Sequence, residues 1–268
     1  ITNALRTARF DVAEWIPGRT ERPLAAPDRV TVWFVMPPLQ RKGLEYSDAE
    51  KALLGAATGL IAEGQPVLLT VARSMLPLVG KPDPWSTVAS TLGLEIDTAQ
   101  VVFEWMPDMA EGGSVKTWQE IDGHPPANDA PGGAIIEALR GKRLFVSHAT
   151  PINVVPTTSS SAVVLAEVRP NALRWLENDW RGDGVQIEKM PGGDRFDGPI
   201  PVAVAVESMG ENGMQRLVAV GSGGWVLSAL VNEAGTLGGD RLVLTNPGNR
   251  ELALSSIAQA ADHLANIS

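Results

Sequence analysis

Arg216-Leu217-Val218-Ala219-Val220-Gly221-Ser222-Gly223-Gly224 is the stretch whose reading decides the fold of this chain. A short apolar run of strand character ends in a turn of small residues. A helix is expected from Trp225 to Asn232. A second strand follows at Arg241-Leu242-Val243-Leu244, closed by Thr245-Asn246-Pro247-Gly248-Asn249, and a long amphipathic helix from Arg250 to Ala265 finishes the chain. Strand, helix, strand, helix, with Gly or Asn at the strand exits, is the order of an open α/β sheet. The fold class expected is therefore α/β: an open, mostly parallel sheet with helices on both faces and polar loops along one edge.

Working outward, Asp28 to Met36 reads as a buried strand rich in β-branched and aromatic residues, stopped by Pro37-Pro38. Ser47 with Glu50 three residues on makes a capping box, and the helix it opens should run to about Ala62, ending at Glu63-Gly64. Strands are expected at Pro66 to Ala72, Ala99 to Phe103, Arg143 to Val146, Ala162 to Val168 and Ile200 to Glu207. Phe10 to Trp15 alternates like a short strand. Helices are expected at Thr2 to Arg9, Trp85 to Leu92 and Ala134 to Arg140. The simplest layout has an α/β core over residues 1–145, an irregular insertion with an added strand over 146–199, and C-terminal strands and helices over 200–268 completing the sheet. Two separate domains are the alternative.

Composition excludes several classes. The 268 residues carry 31 acidic against 22 basic side chains, a net charge of −9. That charge repels nucleic acid and anionic membrane surfaces, so neither is expected as a partner. With no cysteine, disulfides, thiolate metal sites and a cysteine nucleophile are ruled out. The longest apolar runs are of strand length, short of the roughly 20 residues a spanning helix requires. Starting at Ile1 without a leader, the chain reads as a fragment or a processed product, with any membrane segment outside it.

The order of the segments resembles the extracytoplasmic domain of GldG-type auxiliary components of ABC transporters, known from gliding motility. The pieces that carry the resemblance are Asp28 to Pro38, Leu60-Ile61-Ala62-Glu63-Gly64-Gln65-Pro66-Val67-Leu68-Leu69, Trp85 to Gly93, Pro201 to Glu207, Arg216 to Gly221 and Asn246 to Leu264. The sequence departs from the family at Ser222 and Gly223, where an acidic residue is common, and at Gln259-Ala260-Ala261, where a Trp often stands. The resemblance implies a flavodoxin-like or class I glutamine amidotransferase-like sheet. It also implies a non-catalytic module held near a transporter on the extracytoplasmic face of a membrane. Its partners would be proteins of the transport complex.

Chemistry is sparse. His124, His148 and His263 show no metal-ligand spacing. In Val220-Gly221-Ser222-Gly223-Gly224 the serine is flanked directly by glycine, which is not the spacing of a nucleophile elbow. The same loop opens a helix and lacks the third glycine of a dinucleotide motif and the lysine of a phosphate loop. Its amides are nonetheless the best candidates for a small ligand, and Gly221, Ser222, Gly223, Gly224, Asn246 and Asn249 form the candidate binding set. Asn249 also reads as a helix N-cap. Asp179, Asp183 and Glu188 only loosely echo a calcium loop, and Glu207 with Glu211 is a possible acid–base pair. Trp175 and Trp180 are candidates for a sugar-stacking platform. No catalytic residue, metal or cofactor is assigned. The function expected is a non-catalytic binding or scaffolding module of a membrane-associated ABC-type transport system. The alternatives are a hydrolase on the same sheet and a carbohydrate-binding module using tryptophans.

Overall fold

The computed structural model describes residues 2–25, 29–38, 44–107, 114–122, 133–178, 196–210, 213–226, 234–237, 241–244 and 246–265. The strands are β1 (Trp33–Val35), β2 (Val67–Thr70), β3 (Leu94–Ile96), β4 (Val101–Met106), β5 (Ser114–Lys116), β6 (Trp118–Asp122), β7 (Arg143–Ser147), β8 (Ile152–Val154), β9 (Ser160–Val168), β10 (Arg174–Glu177), β11 (Ile200–Gly210), β12 (Gly213–Val220), β13 (Ala234–Leu237) and β14 (Arg241–Leu244). The α-helices are α1 (Thr2–Thr7), α2 (Asp48–Ala62), α3 (Gly133–Leu139) and α4 (Pro247–Ala265).

The central sheet has the order β1-β2-β12-β11-β9. β2 runs parallel to β1 and to β12, whereas β11 is antiparallel to both β12 and β9. The remaining pairings, β10-β4-β5, β6-β7, β3-β8 and β13-β14, are all antiparallel. This overturns the expectation of a mostly parallel, flavodoxin-like or glutamine amidotransferase-like sheet. The fold is a mixed, predominantly antiparallel assembly of several sheets.

The physical reason lies in two connections. Between β11 and β12, Gly210 pairs with Gly213 across the two residues Glu211 and Asn212. A two-residue loop can only make a hairpin. Gly213, the first residue of β12, has a φ of 106°, a conformation open to glycine. At the C-terminus, β14 pairs with β13 (Leu237 opposite Arg241) and does not join the central sheet. The helix expected at Trp225 to Asn232 begins as a turn over residues 223–226, and residues 227–233 lie outside those described.

Both faces of the central sheet are buried, which explains why its strands read as continuous apolar runs. On one face Leu69, Val204, Val206, Leu217 and Ala219 pack against Ala57, Leu60 and Ile61 of α2, together with Trp85, Leu92 and Ile152. On the other, Leu68, Ala203, Val218 and Val220 pack against Leu144 and Val146 of β7, Ile135 and Leu139 of α3, and Leu252 of α4. The capping box of α2 is present as read: the Ser47 hydroxyl accepts from the Glu50 N–H, and the Glu50 carboxylate accepts from the Ser47 N–H. The segment Trp85 to Leu92 forms two 3₁₀ turns instead of an α-helix, the first entered through Asp83 and Pro84. Residues 10–16 form no strand.

Candidate functional site

Parallel strands β1, β2 and β12 end at the same edge, so the loops that leave them start there: residues 36–38 and 44–47, 71–83 and 221–226 among those described. This is the edge where open sheets with parallel strands place ligands. The glycine-rich loop leaving β12 was the sequence candidate, and its polar groups turn inward. The Gly221 N–H donates to the Val202 carbonyl (2.8 Å), and the Gly221 carbonyl accepts from the Thr150 N–H (2.7 Å). A Cβ on Gly221 would stand 2.0 Å from the Thr150 oxygen, so only glycine permits this approach. Ser222 is fully buried. Its Oγ donates to the Ser147 carbonyl (2.8 Å) and accepts from the Ser147 N–H (3.1 Å). Gly223 and Gly224 lie in the turn that delivers Trp225, whose indole donates to Thr70 Oγ1 (3.1 Å).

Asn249 completes the same junction. It is the third residue of α4, so it is not the cap; Asn246, buried, stands just before the helix, with Pro247 at its first position. Asn249 is fully buried. Its Oδ1 accepts from the Phe145 N–H (2.6 Å), and its Nδ2 donates to the carbonyls of Phe145 and Trp225 (2.7 Å each). Gly248 permits this approach, since a Cβ there would lie 2.5 Å from the Arg143 oxygen. β6 pairs with β7 on one side. On the other, Asn249 and Ser222 bind the backbones of Phe145 and Ser147, alternate residues of the strand, as a neighbouring strand would. Ser222 and Asn249 of the candidate set thus meet on one strand edge and spend their polar groups there, while Gly221 spends its own on Val202 and Thr150.

His148 follows directly, with φ of 51°. Its Nδ1 lies 2.9 Å from Ser147 Oγ, and its N–H donates to the Thr117 carbonyl (2.7 Å). Glu207 is ion-paired with Arg216 (3.3 Å). Trp175 is fully buried with its indole on Glu177 (3.1 Å), so no sugar can stack on it. Trp180, Asp179, Asp183, Glu188, Glu211 and His124 lie outside the described residues, as does the side chain of His263. Among the described residues no group of His, Asp or Glu is placed to hold a metal ion, and no helix is long and apolar enough to cross a membrane.

What the edge does present is a groove of about 350 Å³ on the loops leaving β1 and β2, lined by Leu44, Tyr46, Lys51, Leu76, Lys81 and Pro84 among others. The Tyr46 hydroxyl donates to Asp83 Oδ1, which also accepts from the Trp85 N–H (3.1 Å). Lys81 Nζ reaches the Leu44 carbonyl at 3.4 Å. Met36, Leu44, Met75 and Val79, on the same two loops, are each more than two-fifths exposed. A second hollow, beneath α4 and bounded by Ile135, Leu217, Ser256 and Gln259, measures only about 30 Å³. That is room for a water molecule or two and no more.

A charged row lies elsewhere, across the sheet β10-β4-β5. Arg174, Glu104 and Lys116 are direct cross-strand neighbours. Arg174 Nε and Lys116 Nζ each lie 3.2 Å from Glu104 Oε2. Burial pushes the Glu104 carboxyl up, but Arg174 and Lys116 together outweigh it and hold it below the usual carboxylate range. Sequence reading missed this row because Lys116 and Arg174 are 12 and 70 residues from Glu104 and are joined to it only by strand pairing.

No family model matches the chain, and no curated protein matches it. Among solved structures, it is similar to one described as "mmIFT52 N-terminal domain", with a TM-score of 0.46 and 10% identity, over 86% of this chain and 77% of that one. A likeness at that level assigns neither fold nor function.

Proposed function

We propose that the chain is a non-catalytic binding module that engages a protein partner through the loops leaving β1 and β2. One observation carries this reading: Met36, Leu44, Met75 and Val79 are exposed on those two loops, which also form a groove of about 350 Å³ lined by Leu44 and Leu76. Exposed apolar side chains gathered on the loops that form a concavity mark an interaction site. The inward commitment of Ser222 and Asn249 supports the same reading, because it leaves the glycine-rich loop no hydroxyl or amide side chain for a reactant.

The setting we propose is the one the GldG-type resemblance implies: an auxiliary component of a membrane-associated ABC-type transport system, on its extracytoplasmic face. The test is purification of the natural full-length protein from its own membranes. The wild type should bring down an ATPase and a permease. A Met75→Asp/Val79→Asp variant, both positions being surface residues, should lose them while its circular dichroism and melting stay unchanged. A wild type that purifies alone, or a variant that keeps both partners, contradicts the proposal.

A further inference from the structure

The row Arg174-Glu104-Lys116 is out of balance. Two cations share one carboxylate, and their side chains are only 14–16% exposed. Among the described residues no other carboxylate is ion-paired with either cation. A half-buried positive charge in excess is costly to hold away from water unless an anion joins it. The imbalance also stands against the rest of the molecule, whose net charge is −9.

Apolar surface surrounds the row. Lys116 Nζ sits 4.1 Å from the centre of the Trp118 ring, and Trp118 stacks on Phe145 with centroids 5.4 Å apart. Trp118 is 36% exposed; the other described tryptophans are more buried. Met106 lies two residues beyond Glu104 on the same face of β4 and is exposed. Trp, Met and Arg at a partly desolvated spot are the residue types that anchor interfaces.

We infer that this face is a second docking surface, and that its occupant is an acidic segment of a partner protein, one carboxylate of which completes the Arg174-Glu104-Lys116 row while a neighbouring apolar side chain packs on Met106 and Trp118. The surface is independent of the groove on the β1 and β2 loops. Because the Trp118 ring already carries Phe145 and Lys116, the contact is made at the ring edge and with the charges, not by stacking on the ring.

The test uses opposite charge changes at one site. The probe is a short acetylated peptide with alternating Asp and Leu, compared with its Asn-for-Asp analogue and with free acetate, by titration calorimetry at low and high salt. Lys116→Met leaves Arg174 and Glu104 balanced and should weaken the Asp peptide about fivefold, the worth of one charge near 4 Å in water. Glu104→Gln raises the excess charge and should tighten it by a similar factor. Binding should fall with added salt and vanish for the Asn analogue. A purely structural row would give both variants the same sign, or none. Equal binding of the Asn analogue, acetate as tight as the peptide, or weakening by Glu104→Gln would overturn the inference. Melting of each variant is followed in parallel, and Arg174→Met, which leaves Lys116 on Glu104, must repeat the Lys116→Met result.

Discussion

Asn249 and Phe145, 104 residues apart, close a two-bond ring: the side-chain amide of one meets the backbone N–H and carbonyl of the other at 2.6 and 2.7 Å. The ring has the pattern of a rung of antiparallel sheet, supplied by a side chain. Ser222 repeats it at Ser147 (2.8 and 3.1 Å), two residues along the same strand. Together they hold the C-terminal helix and the exit of β12 against β7.

Asn249→Ala should therefore be costly. It strips partners from the Phe145 N–H and from the carbonyls of Phe145 and Trp225, in a place no water reaches. We expect a loss of about 3–5 kcal/mol in urea unfolding. Ser222→Ala, with two bonds at stake, should lose about 2 kcal/mol. Losses under 1 kcal/mol for both would show that β7 does not depend on these ties.

Two glycines should respond in opposite directions. Gly221→Ala forces its new methyl onto the Thr150 carbonyl and should abolish folding or cost several kcal/mol. Gly55, exposed in the interior of α2, has nothing within 4 Å of a new Cβ. Gly55→Ala should gain about 0.5–1 kcal/mol from helix propensity. Comparison of the two melting temperatures checks the packing of the β12 exit directly.

Gln119 in β6 is fully buried, yet neither its Oε1 nor its Nε2 has a hydrogen-bond partner among the described residues. A dry, unpaired amide opposes folding. Gln119→Leu should stabilise the protein by about 1–2 kcal/mol. A destabilised Gln119→Leu would mean that the amide is satisfied in solution.

The Glu104 carboxyl predicts a pH dependence. Its folded-state pKa lies below its unfolded value, so it contributes stability at pH values above the usual glutamate range, near 4.3. That contribution is lost as pH falls through the lower folded value. Glu104→Gln should thus lower stability at pH 7 and flatten the acid side of the stability curve. Parallel curves for the two proteins between pH 7 and pH 3 would refute the assignment.

How much of this was legible in the sequence follows from the range of each interaction. α2 was readable with its cap because Ser47 and Glu50 lie within one turn. β2, β7, β9 and β11 were readable as strands from their β-branched runs. Strand direction was not, because β2 is separated from its partner β12 by most of the chain. One local signal bears on direction: the turn residues Gly210 to Gly213 between two apolar runs leave room for a hairpin only, which makes β11 and β12 antiparallel. At the candidate site, the small polar residues after β12 look alike in sequence whether they face a ligand or a strand edge. Only the position of β7 decides between them. The groove was invisible for the same reason, since Tyr46 meets Asp83 across 37 residues.

The central claim is that a protein partner docks on the loops leaving β1 and β2. Its most direct test is a photo-crosslinking amino acid placed in the natural protein in its own cells, at Val79 beside the groove and, as a control, at Met209 on the β11 hairpin; these positions are 47% and 64% exposed. The account predicts one discrete crosslinked protein species from Val79, identified by mass spectrometry, and none from Met209. Equal crosslinking from both positions, or none from Val79, would contradict it.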